Sequence, residues 1–516
     1  MAMNMTTFDF SFVSNYYYYF LLFISLLLIY NLFSKRSTTK NKPPSPPSFP
    51  IIGHLYLIMK KPLHEVLIDL SDRYGHVLLL RLGSQSVLTL SSPSSIEECL
   101  TKNDMIFANR PRAVVAKHLG YDNKTLEWAS YGSDWRNLRR VMNMDIFSYS
   151  SLQKTSNIRN EEVQYMLHQL YQRCLSSSSV EIFHEVDLKP VFFEFAFNII
   201  MKIASGKRSY NGSKKWSFDR LISESFLPER LIHTVDLFPV LRWIGYQSTE
   251  KKLKQGRKNK DAFLDELIQE YLDTSSSDER KDEHKPLIGV LMSLQQGSPK
   301  LYSHEVVKGI IGTMFSGGIG TSVDTMVAAM SLLVKHPEAL AKLRDEIDFH
   351  VEEGRFISDS DLPKLPYLQC VIQESLRLHP AVTIPLPHLL SQDCTVAGYD
   401  IPRGTWLSIN IWGVLRDPKW WDEPTKFIPE RFDRVTAIKE GKMDGFHWIP
   451  FGAGRRGCPA SGMAFRAISL AIGGLVQCLE WKRVDHDDEV IEEVDEPSPR
   501  AVCRPRLVKK DILSQI

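Results

Sequence analysis

Two short stretches hold residues whose types and spacing could do chemistry. In Pro450-Phe-Gly-Ala-Gly-Arg-Arg-Gly-Cys-Pro-Ala460, three glycines in six residues let the backbone turn tightly and approach a flat ligand. An apolar helix pattern, SGMAFRAISLAIGGLVQCL, follows at once. That helix would aim its free N–H groups and positive end at Cys458, favouring thiolate over thiol. A thiolate so placed is an axial ligand for haem iron; the plain alternative is a small buried cysteine. The second stretch is Met314 to Met326, MFSGGIGTSVDTM, inside a run from about His304 to Lys335 that otherwise reads as one apolar helix. Each interior glycine costs about 1 kcal/mol relative to alanine. Three of them beside Thr321 imply that something needs the space of the missing side chains.

The elements that must position these residues read as mainly helical with small β-sheets. HVLLLRL and SVLTL around Gly83 to Ser86 predict a hairpin, and from Ile96 onward apolar residues recur at helical spacing. The chain of 516 residues is 43% hydrophobic and 24% charged, enough for a large core. Its 63 Lys plus Arg nearly balance 61 Asp plus Glu, so no overall field points to nucleic acid. Seven scattered cysteines without C-x-x-C spacing argue against a disulfide framework, a zinc ribbon or an iron–sulfur site. Ser176 to Ser179 and Thr274 to Lys285 read as solvent loops too short to divide domains.

The amino terminus is separate in character. Tyr16 to Phe33 is an uncharged apolar run that would span roughly 27 Å as a helix, close to a bilayer core. A cleaved signal peptide is the alternative, against which stand the lack of a basic leading region and of a small-residue cleavage site. Lys35, Arg36, Lys40 and Lys42 follow, which places the remainder on the cytosolic side. Residues 1–34 therefore read as a membrane anchor, 35–50 as a basic, proline-rich hinge, and 51–516 as the cytosolic body.

The cysteine segment resembles the haem-binding signature of the cytochrome P-450 superfamily, F-x-x-G-x-R-x-C-x-G/A, matched by Phe451, Gly454, Arg456, Cys458 and Ala460. Other landmarks follow the same order: Trp135 and Arg139 in WRNLRR, Glu374 and Arg377 in QESLRLHP, and Arg431 in PERF. RPRAVVAKHLGYDNKTLEWASYG, DLFPVLRWIGYQ and DLPKLPYLQCVIQESLRLHP look like the plant microsomal group that includes isoflavone hydroxylases. The resemblance implies the P-450 fold, a single haem domain behind a transmembrane helix, and haem b as cofactor. It implies Cys458 as iron ligand, with Phe451 and Gly452 against the cofactor and Trp135, Arg139 and Arg456 as donors to its propionates. Glu374, Arg377 and Arg431 become a structural network, where the bare spacing of the first two would suggest an exposed ion pair. Gly317, Gly318, Val382 and Thr383 are expected in the substrate pocket. Arg136 and Arg140 are solvated charges or docking sites for an acidic reductase, and DLFPVLRWIG is core packing or the bilayer-facing rim of a substrate entrance.

Two departures stand out. The glycine run resembles the family's distal helix, A/G-G-x-D/E-T-T/S, where an acid and a threonine deliver protons to the oxygen groove; counting back from His336 puts Thr321 at the threonine and Gly320 at the acid. Asp324, one turn on, either substitutes in that relay with Thr321 or pairs elsewhere. Between Trp481 and CRPRL, relatives carry a neutral loop, whereas this chain has eight acids in the twelve residues from Asp485 to Glu496. That loop is solvated surface or a pocket edge favouring a cationic amine.

The resemblance thus implies an endoplasmic-reticulum haem-thiolate monooxygenase of plant specialised metabolism. It would use O2 and NADPH electrons from NADPH-cytochrome P-450 reductase to oxidise a small phenolic, isoflavonoid-like or alkaloid molecule by hydroxylation or ring formation. A reductase-independent haem isomerase of a hydroperoxide and a non-enzymatic haem sensor are the rival readings. The first would explain a weakened proton relay; the second would need no oxygen groove.

Overall fold

The computed structural model describes residues 17–25, 41–59, 61–176, 182–208, 225–226, 232–242, 247–275, 285–433, 445–484 and 500–514. Eight helices matter for the site: α1 (Ser133–Val141), α2 (Ser156–Ser176), α3 (Leu188–Ser205), α4 (Gln247–Ser275), α5 (His304–Gly318), α6 (Gly320–Lys335), α7 (Pro366–Leu378) and α8 (Ser461–Cys478). Local chemistry marks their ends. The Ser303 hydroxyl accepts from the Val306 N–H to cap α5, and the Asp187 carboxylate accepts from Lys189 N–H to cap α3.

Helix α6 is apolar over most of its surface because it is packed on most sides. Val323, Met326, Ala329, Met330, Leu332 and Leu333 are all buried, and α3, α7 and α8 pack against it. The continuous run His304–Lys335 and α8 are each long and apolar enough to cross a membrane, but 67% and 72% of those windows lie buried in the fold, as core helices do.

The small sheets are peripheral. The expected hairpin is β1 (Val77–Leu82) and β2 (Gln85–Leu90), antiparallel with Leu79 opposite Leu88. Further along are β3 (His184–Asp187), β4 (His388–Leu389), β5 (Cys394–Val396), β6 (Tyr399–Ile401), β7 (Trp406–Ile409), β8 (Leu479–Lys482) and β9 (Arg500–Pro505). They form sheets in the orders β1-β2-β7-β4, β3-β9-β8 and β5-β6, with β2 and β7 parallel.

Residues 17–25 are helical with their apolar side chains almost all exposed, Tyr17 at 67% and Phe23 at 55%. The rest of the expected anchor, the acidic stretch 485–496 and most of both serine-rich loops lie outside the described residues. The proline connector is fastened to the body: Pro44 carbonyl accepts from Leu79 N–H at 3.0 Å, and Asn41 carbonyl from Asp400 N–H at 2.7 Å.

The run from His304 to Lys335 is two helices and not one. It is interrupted at Ile319, so Gly318 and Gly320 flank a break instead of sitting in a helix interior. At the break the carbonyls of Gly317 and Gly318 accept from the hydroxyls of Thr321 and Ser322, each at 2.7 Å. Side chains four residues on thus hold the kink together, a recognised cause of helix bending.

Glu374 is buried completely, and its carboxylate is bound from three directions. Arg377 donates two bonds to it at 2.7 and 2.8 Å, Arg431 Nε lies 3.3 Å away, and Ile428 N–H donates at 3.0 Å. Arg377 also donates to the carbonyls of Leu415, Pro424 and Lys426, and Arg431 to that of Glu423. Helix α7 is thereby tied to the irregular chain leading towards the cysteine loop. Removing one partner of such a network leaves a buried charge unpaired, a loss of about 3 to 5 kcal/mol. Glu374→Ala should lower the denaturant midpoint by that equivalent, measured by circular dichroism; an unchanged midpoint would show that the network is not holding the fold.

Candidate functional site

The cysteine loop is shaped by its own backbone. Cys458 N–H donates to Phe451 carbonyl at 2.9 Å, closing the turn, and Gly457 N–H donates to Gly454 carbonyl at 3.1 Å. Gly452 and Gly454 take φ of 67° and 65°, which side chains disfavour. A Cβ on Gly454 would also stand 2.6 Å from the Leu100 carbonyl oxygen. Helix α8 starts just beyond, and the Ala460 N–H is bonded to the Cys458 sulfur.

The free thiol is pulled two ways by its surroundings, and its sulfur is exposed to the cavity in front of it. Burial pushes the Cys458 pKa up, with the Ala460 N–H and the Arg139 charge pulling against it. The thiolate form therefore belongs to the metal-bound state, since a coordinating metal displaces the proton outright.

Cys458 opens onto a largely apolar cavity of about 370 Å³. Trp135, Arg139, Phe451, Gly452, Arg456, Gly317, Gly318, Thr321 and Val382, all singled out in the sequence, line it. Arg139 donates to Gly457 carbonyl at 2.7 Å, fastening α1 to the cysteine loop. Arg456 donates to the carbonyls of Ala108, Leu126 and Ala129 and stacks over Trp135 at 4.7 Å. Trp135 Nε1 donates to the same Leu126 carbonyl at 3.2 Å. Burial lowers the Arg456 pKa to about 10, still well above neutral, so the guanidinium is charged at pH 7.

Two of the expected site residues lie elsewhere. Thr383 does not line the cavity; its carbonyl accepts from Trp412 N–H at 3.3 Å, while Ala381, Val382, Pro385 and Leu386 form the wall. Asp324 is also absent from the lining and is exposed. At about 100° per residue, Thr321, Ser322, Thr325 and Met326 centre a face that Asp324 misses by roughly 130°. Burial nearby raises its pKa, opposed by the charge of Lys189 on α3. Thr321 and Thr325 both reach the cavity, Thr325 donating to Thr321 carbonyl at 2.8 Å.

Three polar residues on the cavity escaped the sequence reading: Arg110, Glu127 and Thr313. Arg110 is buried and donates to the carbonyls of Glu127, Leu386 and Pro387; burial lowers its pKa to about 9, leaving it charged. The one local signal is an acid between two apolar residues, Leu126-Glu127-Trp128; Arg110, between Asn109 and Pro111, and Thr313 carry none.

These residues fit a haem. The donor set offers one sulfur ligand, three guanidiniums suited to two propionates, and an apolar space in which the Gly317 wall is open: a Cβ there would meet nothing within 4 Å. The profile of the cytochrome P450 family matches residues 43–507.

The chain belongs to the cytochrome P450 family. It is 41% identical over 495 residues to cytochrome P450 81Q32 of Catharanthus roseus, covering 94% of this chain and 95% of that one. Identity is 38% over 499 residues to an isoflavone 2'-hydroxylase of Glycyrrhiza echinata, covering 94% and 96%. It is 36% over 495 residues to (+)-piperitol/(+)-sesamin synthase CYP81Q2 of Sesamum radiatum, covering 93% and 94%. Among solved structures, a zebra fish cytochrome P450 with abiraterone superposes with a TM-score of 0.67 at 25% identity, covering 86% of this chain and all of that one. This P450 is thus a monooxygenase whose cofactor is haem b, and NADPH through a reductase is the standard electron route of its class.

The geometry separates Thr321 from Asp324 on α6. Thr321→Ala should lower product formed per NADPH by about tenfold or more, the scale of a lost proton-handling group. Asp324→Asn should leave the ratio within about twofold. Coupling measurements with intact haem content check this, and a large loss confined to Asp324→Asn would return it to the relay.

Proposed function

We propose that this P450 is anchored in the endoplasmic-reticulum membrane, receives electrons from NADPH-cytochrome P-450 reductase, and oxidises a small phenolic, isoflavonoid-like or alkaloid molecule. The observation that carries this reading is the apolar cavity onto which Cys458, Gly317 and Thr321 all open. With haem on the cysteine side, the apolar walls and few polar groups that remain would orient a small ring-bearing ligand. Relatives named as an isoflavone hydroxylase and a sesamin synthase support both hydroxylation and ring formation as outcomes.

Haem held by Cys458 supplies the oxygen activation. The chain's own residues do the rest. Arg110, Arg139 and Arg456 would neutralise and fix the propionates, while Trp135, expected from sequence as a further donor, gives its one N–H to the Leu126 carbonyl and supports Arg456 by stacking. Phe451 and Gly452 would lie against the macrocycle, and Gly318 accepts the close approach of Ile200, whose Cδ1 would stand 3.0 Å from a Cβ there. Gly317 leaves the oxygen groove open, and Thr321 presents a hydroxyl to it. With glycine at 320, proton supply falls to cavity hydroxyls, water or the substrate itself.

Membrane anchoring rests on the exposed apolar helix 17–25 and on a second cluster. Ile52 and Leu237 carbonyls both accept from the Gly83–Ser84 turn, which gathers the exposed side chains of Phe49, Ile51, Ile52 and Val240 on one side of the body. Such a patch beside an anchor suits the bilayer interface. The exposed Arg136 and Arg140 on α1, behind the site, offer charge to an acidic reductase.

Expression in microsomes with a reductase, followed by mass spectrometry against phenolic and alkaloid panels, tests the proposal. Products should be NADPH-dependent and carry one added oxygen or two fewer hydrogens. Turnover of a hydroperoxide without NADPH, and of nothing else, would overturn it.

A further inference from the structure

Glu127 is the one acid among the described residues that line the cavity. Its neighbours in sequence explain why it points there. Trp128 is buried in a separate cluster with Val114 and Leu119, and the turn is closed by Trp128 and Ala129 N–H groups donating to Thr125 carbonyl, so residue 127 is directed to the other side. The backbone around it is clamped twice, by Arg110 on the Glu127 carbonyl at 3.1 Å and by Arg456 on the Leu126 carbonyl at 3.0 Å. The carboxylate is therefore held by rigid main chain and not by a mobile loop.

One carboxylate oxygen has a partner. Thr313 on α5 places its hydroxyl 2.9 Å from Glu127 Oε2 and 2.9 Å from its own Gly309 carbonyl. The other oxygen, Oε1, makes no hydrogen bond to the described residues, and no Lys, Arg or His nitrogen among them lies within ion-pair distance of Glu127. The nearby cations are committed elsewhere. Arg110 and Arg456 donate to backbone carbonyls, and buried Lys260 donates to Leu119 carbonyl at 3.1 Å. Lys260 passes α5 where Gly312 leaves room, since a Cβ there would stand 2.7 Å from its Cε. It contributes countercharge at longer range.

Oε1 is open to the cavity, where water satisfies it, and a ligand that displaces that water must supply a hydrogen-bond donor in its place or lose the bond. We propose that Glu127, steadied by Thr313, is the polar anchor for substrate: Oε1 accepts from an O–H or N–H donor on an otherwise apolar ring system. Glu127 is thus a specificity-determining residue that selects free phenols and N–H amines over their ethers and fully N-substituted counterparts. This rests on reading the cavity as the haem and substrate site, and the test separates the two.

The test uses full-length, haem-loaded protein in microsomes and hydroxyphenyl-alkyl imidazoles of graded tether length, each paired with its methyl ether. The imidazole ligates haem iron whatever the natural substrate, so the absorbance shift reports affinity without turnover. At the best tether length the phenol should bind about tenfold tighter than its ether, as expected for a charge-assisted bond. Glu127→Ala should bring that ratio to about one, and Glu127→Gln, which keeps an acceptor and the side-chain shape, should retain part of it. A ratio near one in the wild type at every length, or an undiminished ratio in Glu127→Ala, overturns the anchor while leaving the haem site standing. No imidazole spectrum at all would overturn both.

Discussion

A carboxylate with no access to water must be paired from within the protein, and Glu374 is such a group. Its partners are two arginines and a main-chain N–H, and those arginines spend their remaining donors on four carbonyls between Leu415 and Lys426. The energetic logic is conditional. Intact, the network gains little over an apolar core, but any missing partner strands a charge. That asymmetry fixes how α7 meets the irregular chain of residues 415–433, and with it one boundary of the region that leads to the cysteine loop.

The same economy of backbone carbonyls recurs at the site. Arg456, two residues before Cys458, binds three carbonyls from the segment between Ala108 and Ala129, and Arg139 binds the carbonyl adjacent to the cysteine. Positive charge is thus concentrated beside the cavity while each guanidinium is mechanically fixed. Opposite, the break at Ile319 and the bare Gly317 open the wall of the central helix, with hydroxyls of Thr321 and Ser322 satisfying the carbonyls at the kink. Rigid cations and an opened helix wall are what a large flat dianion and a small oxygen groove require.

Much of this was legible in the sequence. The turn from Phe451 to Cys458 and the three-residue step from Glu374 to Arg377 are local, whereas the carbonyls that Arg456 and Arg377 bind come from distant segments, and the roles of those arginines were implied only by the family resemblance. The β1–β2 hairpin is equally local. What was not legible depends on rotation and on distant pairings. Asp324 lies only about 60° from Thr321 around the helix, so whether it also reaches the cavity depends on which side of α6 faces inward, and α3, α7 and α8 decide that together. Thr383 fails for a similar reason, because Trp412 holds its backbone from another part of the chain. Arg110, Glu127 and Thr313 come from separate segments, and no local pattern distinguishes them from surface polar residues.

Assigning Cys458 as the haem ligand is the claim on which the account stands. The reduced, CO-bound difference spectrum of the Cys458→Ala variant in microsomes tests it most directly, with total haem and protein measured alongside. The account predicts a thiolate-type band in the wild type and none in the variant, at comparable protein level. A variant that keeps that band would contradict it, because no other cysteine lines the cavity to replace the sulfur.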